Sequence, residues 1–212
     1  MTKSLFVTGT DTNVGKTLLS ALLVAALDAI YWKPIQTGAS EGTDRQTVIK
    51  LAEIAETQTI PEFYCFDPPV SPHLAAEASG VRIDLARIEA PANLDTPIIV
   101  EGAGGILVPI NESDLMLDLA RHLGFPVLIA ARAALGTINH TLLTVRALRC
   151  AKIALHGVVM IGDRNRDNER SVEHFGAVPV VGTIPWLDTL DRQTLLSVFR
   201  NSFDQKYFRD AD

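Results

Sequence analysis

Leu5-Phe6-Val7-Thr8-Gly9-Thr10-Asp11-Thr12-Asn13-Val14-Gly15-Lys16-Thr17 passes from a short apolar run, through a turn bracketed by two glycines, straight into the apolar stretch Leu18–Leu27. A strand that leads through such a loop directly into a helix is a phosphate cradle. Its glycines let the backbone aim N–H groups at phosphate oxygens, and the helix N-terminus adds a favourable field. Lys16 is positioned to reach β- and γ-phosphates, and the Thr17 hydroxyl to ligate Mg²⁺. Five residues stand between Gly9 and Gly15-Lys16-Thr17, against four in the usual P-loop.

Outward from this loop the strand–helix alternation continues. Short β-branched and aliphatic runs recur at Ile30–Lys33, Pro97–Val100, Val127–Ala131, Leu155–Ile161 and Val178–Ile184. They are continuous rather than alternating, which marks strands covered on both faces of a parallel sheet. Helical spacing fills Lys16–Ala29, Thr43–Ala55, Ser113–Leu123, Thr137–Cys150 and Leu190–Ser202. Right-handed βαβ units follow, and with them an α/β fold of the P-loop NTPase type: a three-layer sandwich with a mostly parallel central sheet and helices on both faces. No repeat or composition break divides residues 1–212, which read as one domain. Pro61–Gly80, with prolines at 61, 68, 69 and 72, reads as a loop carrying one short helix from about Pro72. The polar tail after Asn201 reads as a frayed end.

Composition narrows the function. With 47% apolar and 21% charged residues and a formal charge of −6, the chain lacks the basic surface that nucleic-acid binding requires. Its most apolar run, Leu18–Leu27, is ten residues long, whereas a membrane span needs about 20. It reads as a buried helix. No cationic leader precedes the first strand, so the expected compartment is the cytoplasm. Cys65 and Cys150 lie far apart in no metal-ligand spacing and read as buried packing thiols.

Three further clusters sit at strand ends, where ligands of open α/β sheets bind. Tyr31-Trp32-Lys33-Pro34-Ile35-Gln36-Thr37-Gly38 aims Lys33 and Thr37 at the crevice that holds the P-loop, although Lys33 alone also reads as a solvated strand-end charge. Asp44 opens the next helix, either as an acid favoured by the macrodipole or as a metal ligand. Ile98-Ile99-Val100 ends in Glu101-Gly102-Ala103-Gly104-Gly105, an acid at a strand tip beside a loop slim enough for close approach. Mg²⁺ takes one or two carboxylates besides phosphate oxygens, which Asp44 and Glu101 would supply alongside Thr17. Finally, Leu135-Gly136-Thr137-Ile138-Asn139-His140 opens a helix whose free N–H groups suit a carboxylate. His140 and the other histidines share no metal-ligand spacing.

In order along the chain, Gly9–Thr17, Lys33–Gly38, Ser71-Pro72-His73, Glu101–Gly105, Leu135–His140 and Gly182-Thr183-Ile184-Pro185-Trp186-Leu187 closely resemble the dethiobiotin synthetase family. The resemblance implies an ATP- and Mg²⁺-dependent enzyme that carboxylates 7,8-diaminononanoate with CO₂ or bicarbonate. It then phosphorylates the carbamate and closes a cyclic urea. Transferred onto this chain, the catalytic lysines are Lys16 and Lys33. The nucleotide lies on Thr12, Asn13, Val14, Gly15, Lys16, Thr17 and Leu18, with Asp44, Glu101, Gly102, Ala103 and Gly104. Its base falls to Gly162, Pro185, Trp186 and Leu187. Thr10, Thr37, Gly136, Thr137, Ile138 and Asn139 take the substrate, and Thr17, Asp44 and Glu101 the metal. A homodimer is implied, with the helix mouth at Gly136–Asn139 serving the partner's substrate.

Two positions depart from the family pattern. Asn13 stands where Glu is common, and Ile161-Gly162-Asp163 replaces an Asn-Asp pair that reads adenine. The alternative class is a partitioning-type P-loop ATPase switch, which needs a second lysine five residues before Lys16. Asp11 occupies that position. A GTPase would need an Asn-Lys-x-Asp motif, which the chain lacks, and an amidating synthetase a further glutaminase domain.

Overall fold

The computed structural model describes residues 4–91 and 95–208. In chain order the elements are β1 (Leu5–Gly9), α1 (Lys16–Leu27), β2 (Ile30–Trp32), β3 (Ile35–Thr37), α2 (Asp44–Ala52), β4 (Thr59–Ile60), β5 (Tyr64–Phe66) and α3 (Pro72–Ala78). There follow β6 (Ile98–Gly105), α4 (Met116–Leu123), β7 (Val127–Arg132), α5 (Thr137–Cys150), β8 (Leu155–Ile161), α6 (Arg166–Gly176), β9 (Val180–Ile184) and α7 (Arg192–Ser202). Seven strands form one sheet in the order β4-β2-β6-β1-β7-β8-β9, and each neighbouring pair is parallel.

Successive residues of the central strands enter different cores, which is why their sequences are apolar without alternation. Phe6, Ile98 and Val100 join Met116, Leu119, Val145 and Leu148 on one face. Leu5, Val7 and Ile99 join Leu19, Leu22, Leu23, Val48 and Leu195 on the other. The expected three-layer α/β sandwich is thus formed. The run Leu18–Leu27 lies within α1, most of it buried against the sheet.

Several local expectations are corrected. Pro61–Gly80 holds a strand as well as a short helix: β3 and β5 pair in a separate parallel ribbon after Pro34 interrupts the path out of β2. Helix α6 was not foreseen, because Arg-Asp-Asn-Glu-Arg-Ser-Val-Glu-His-Phe-Gly buries little besides Val172 and Gly176, too few apolar positions to mark a helical stripe. Residues 202–208 do not fray, and the rest of the tail, for which fraying was also expected, lies outside the described residues. Phe203 and Phe208 are buried with Phe199, their ring centroids 5.3 to 5.8 Å apart. Cys65 and Cys150 are exposed rather than buried. Cys65 is the outward residue of β5 between buried Tyr64 and Phe66, and Cys150 ends α5 on its open side.

Candidate active site

Backbone geometry builds the cradle. Gly15 caps α1 with φ +100°, and a Cβ there would stand 2.9 Å from Ile161. A Cβ on Gly9 would stand 2.7 Å from the Asp11 carbonyl oxygen, so the loop could not close this tightly around a larger residue. Asn13 adopts φ 56°, a left-handed conformation that Asn tolerates better than most residues. The Thr12 N–H donates to Asp11 Oδ1 at 2.7 Å, and Lys16 Nζ to the Asp11 carbonyl at 3.2 Å. Arg132, at the tip of β7, donates to the Thr12 carbonyl at 3.1 Å.

Sheet register then delivers the acids and the second lysine. Val7 lies opposite Glu101 in the β1–β6 pair, and Trp32 opposite Val100 in the β2–β6 pair. The residue after Trp32 therefore meets Glu101: Lys33 Nζ is 3.4 Å from Glu101 Oε1 and also pairs with Asp44 Oδ2. The Thr17 hydroxyl lies 2.7 Å from Asp44 Oδ1 and 3.0 Å from Glu101 Oε1. Tyr31 donates its hydroxyl to Glu101 Oε2 at 3.0 Å, and the Asp44 N–H donates to Gln36 Oε1 at 3.1 Å.

Burial alone would lower the Lys33 ammonium's pKa, but Glu101 and Asp44 outweigh it and hold the group above its ordinary value. Burial likewise would raise Asp44, yet Lys33 and the Thr17 hydroxyl hold its carboxyl below the usual range. Burial pushes Lys16 down and the Lys33 charge adds to it, which Glu101, Asp44 and Asp11 offset only in part. Burial, reinforced by the Glu101 carboxylate, raises the Tyr31 phenol well above normal. The result is one cationic lysine locked to carboxylates and another left poorly compensated. Lys16 would gain most from an anionic ligand.

Three cavities surround the loop. The largest, about 860 Å³, brings together Thr12, Asn13, Gly15, Lys16, Thr17, Lys33, Thr37, Asp44, Glu101, Ala103 and Gly104. A small one, about 130 Å³, joins Thr10 and Val14 to Gly136 and Thr137. A third, about 500 Å³, joins Asn13, Val14, Gly15 and Leu18 to Gly162 and Trp186. Gly102 lies beneath the surface between Phe6 and Met116, and Ile138, Asn139, Pro185 and Leu187 line none of the three. Thr17, Asp44 and Glu101 offer a hydroxyl and two carboxylates, hard oxygen donors of the kind Mg²⁺ takes. No group of three or more His, Cys, Asp or Glu that could hold a metal occurs among the described residues.

The chain is 45% identical over 208 residues to the ATP-dependent dethiobiotin synthetase of Rhodopseudomonas palustris, covering 98% of this chain and 97% of the relative. It is 47% identical over 197 residues to that of Novosphingobium aromaticivorans, covering 93% and 95%. The chain belongs to the dethiobiotin synthetase family. A family model described as an AAA domain also matches residues 3–194. A solved ParA family ATPase from Chlorobium tepidum superposes with a TM-score of 0.51 at 12% identity, covering 98% of this chain and 96% of that one. At that identity the likeness is of fold alone, so the partitioning-type alternative gains nothing from it.

For a dethiobiotin synthetase family member, the residues that sequence reading assigned no role are as informative as those it named. Tyr31, fully buried, fixes the orientation of Glu101. Gln36 anchors the first turn of α2, and Arg132 braces the P-loop. Each acts through a partner distant in sequence, and nothing in its local pattern announces the contact. Among the described residues no helix is long and apolar enough to cross a membrane.

Proposed function

We propose that the whole chain acts as one ATP-dependent dethiobiotin synthetase, converting 7,8-diaminononanoate, CO₂ and ATP into dethiobiotin, ADP and phosphate. The observation that carries this reading is the meeting of Lys16, Thr17, Lys33, Asp44 and Glu101 in one cavity beside the phosphate cradle. Such an arrangement serves phosphoryl transfer through fixed positive charge and positioning rather than through a nucleophile–base pair.

In this reading the P-loop N–H groups and Lys16 bind the triphosphate. One amine of the substrate adds CO₂ to give a carbamate, releasing a proton. A carbamate oxygen attacks the γ-phosphorus and ADP leaves; the second amine then attacks the carbonyl carbon, expelling phosphate as the five-membered urea closes. Charge grows on the transferring phosphoryl oxygens, and Lys33, held cationic by its carboxylate neighbours, is a preorganised donor for it. Thr37, in the same cavity, hydrogen-bonds the carbamate or amine. Thr17, Asp44 and Glu101 would hold Mg²⁺, which when bound neutralises phosphate charge. The mouth of α5 at Gly136–Asn139 receives the substrate carboxylate across a homodimer.

The deciding assay is formation of dethiobiotin from 7,8-diaminononanoate that depends on both ATP and bicarbonate, with one phosphate per urea. ATP hydrolysis indifferent to the diamine would sink this reading and favour the nucleotide-switch class.

A further inference from the structure

Among the described residues the largest cavity is lined by three acids, Glu41, Asp44 and Glu101, and two of them are already committed. Asp44 accepts from the Thr17 hydroxyl on Oδ1 and from the Lys33 ammonium on Oδ2. Glu101 accepts from Thr17 and Lys33 on Oε1 and from the Tyr31 hydroxyl on Oε2. Glu41 is different. It is exposed, and among the described residues its carboxylate has no hydrogen-bond or ion-pair partner.

Backbone geometry holds Glu41 at this cavity. It closes the single helical turn Ala39–Glu41, which is bracketed by Gly38 at φ +74° and Gly42 at φ +105°, values that glycine adopts at least cost. The Gly38 N–H donates to the Pro68 carbonyl at 3.0 Å, and the Gly42 N–H to the Ala39 carbonyl at 3.0 Å. The turn runs from Thr37, on the same cavity wall, to the start of α2 at Asp44. One short segment thus carries a hydroxyl and an uncommitted carboxylate to the space in which the diamine is read to bind.

That diamine brings a charge which the cavity has to meet. An aliphatic amine is protonated well above neutral pH. Two on adjacent carbons repel each other, so one sheds its proton readily while the other keeps it. The nitrogen that takes CO₂ must be neutral, which leaves the ammonium on its neighbour. Lys16 and Lys33 repel that ammonium. A cation drawn out of water needs an opposite charge beside it, and Asp44 and Glu101 are held by Lys33, Thr17 and Tyr31.

We propose that Glu41 pairs with the ammonium of the bound diamine, on the nitrogen that does not take CO₂, and so orients the two nitrogens beside Thr37. The proposal rests on the reading of this cavity as the diamine site. Glu41→Gln keeps the size of the side chain and removes its charge. It should raise KM for 7,8-diaminononanoate about fivefold, as an exposed ion pair at the upper end of its range does, while KM for ATP stays as in wild type. Glu41→Lys should raise KM for the diamine further, because attraction becomes repulsion, and the loss in both variants should shrink at high salt. Dethiobiotin has the same chain and carboxylate but no ammonium, so its strength as a product inhibitor should be the same in Glu41→Gln and wild type. A diamine KM in both variants equal to that of wild type would overturn the proposal. So would a loss shared equally by dethiobiotin, which would mean that Glu41 acts through the shape of the site rather than on the ammonium. Wild-type protein that forms no dethiobiotin from the diamine, ATP and bicarbonate would instead remove the reading on which the proposal rests.

Discussion

Lys33 is 6% exposed and pairs with two carboxylates, one of which, Glu101, is 1% exposed. Its charge is therefore fixed in place before any ligand arrives, which is what preorganised stabilisation requires. Lys33→Ala should lower kcat by about 10²–10³ while ADP binding, held by the P-loop, stays measurable by calorimetry. Turnover close to wild type would remove Lys33 from the chemistry. Tyr31→Phe deletes the donor to Glu101 Oε2 inside the core. We expect it to cost about 1.5–3 kcal/mol, the usual worth of a hydrogen bond to a charged group, as read by urea denaturation. Stability should also depend on pH at both ends. Asp44 has a depressed folded pKa, so its contribution is full above the unfolded value near 3.9 and is lost as pH falls through the lower folded value. Lys33 has a raised folded pKa, so its contribution is full below about 10.4 and is lost as pH rises through the higher folded value. Denaturation midpoints on the acid limb should flatten in Asp44→Asn; an unchanged limb would show that other carboxylates control it.

Among the elements, β9 and α7 show how packing outweighs local pattern. Gly182 in β9 lies against the Phe203 ring so closely that a Cβ would meet ring carbons at 2.5 to 2.7 Å. The Asp204 N–H also donates to the Val181 carbonyl at 3.0 Å. Gly182→Ala should push Phe203 out and loosen Phe199 and Phe208 with it, costing about 1–3 kcal/mol as overpacking does. A thermal midpoint matching wild type would mean that the tail adjusts freely. This docking explains why the polar composition after Asn201 misled: Phe203 and Phe208 enter the same core as Phe199 and anchor residues 202–208, which are otherwise hydrophilic. Helix α2 shows the opposite case. Its start, expected at Thr43 and Asp44, is held by a reciprocal capping box between Thr43 and Gln46, a contact contained in four adjacent residues.

At the scale of the whole molecule, the substrate pocket implied at the mouth of α5 should be completed by a second copy. Mixing Lys33→Ala with Asn139→Ala protein should then restore activity, because each hybrid dimer keeps one site with both residues intact. Two preparations that stay as inactive together as apart would place Lys33 and Asn139 in the same chain's site. The sequence by itself determined the phosphate cradle, the strand–helix alternation and the three-layer fold. Each depends on residues close in the chain: glycines that permit a turn, apolar runs that require burial on both faces, and a helix that begins where the loop ends. Lys33, Asp44 and Glu101 were legible as candidates because each stands at the end of a recognisable element. Their actual meeting was decided by tertiary structure. Thr17 and Glu101 are 84 residues apart, and Tyr31 and Glu101 are 70 apart. They touch because β6 inserts between β1 and β2. Burying both faces of those strands fixes that order, and no local pattern encodes it. The same holds for Trp186, whose exposure beside Gly162 follows from β8 and β9 ending side by side.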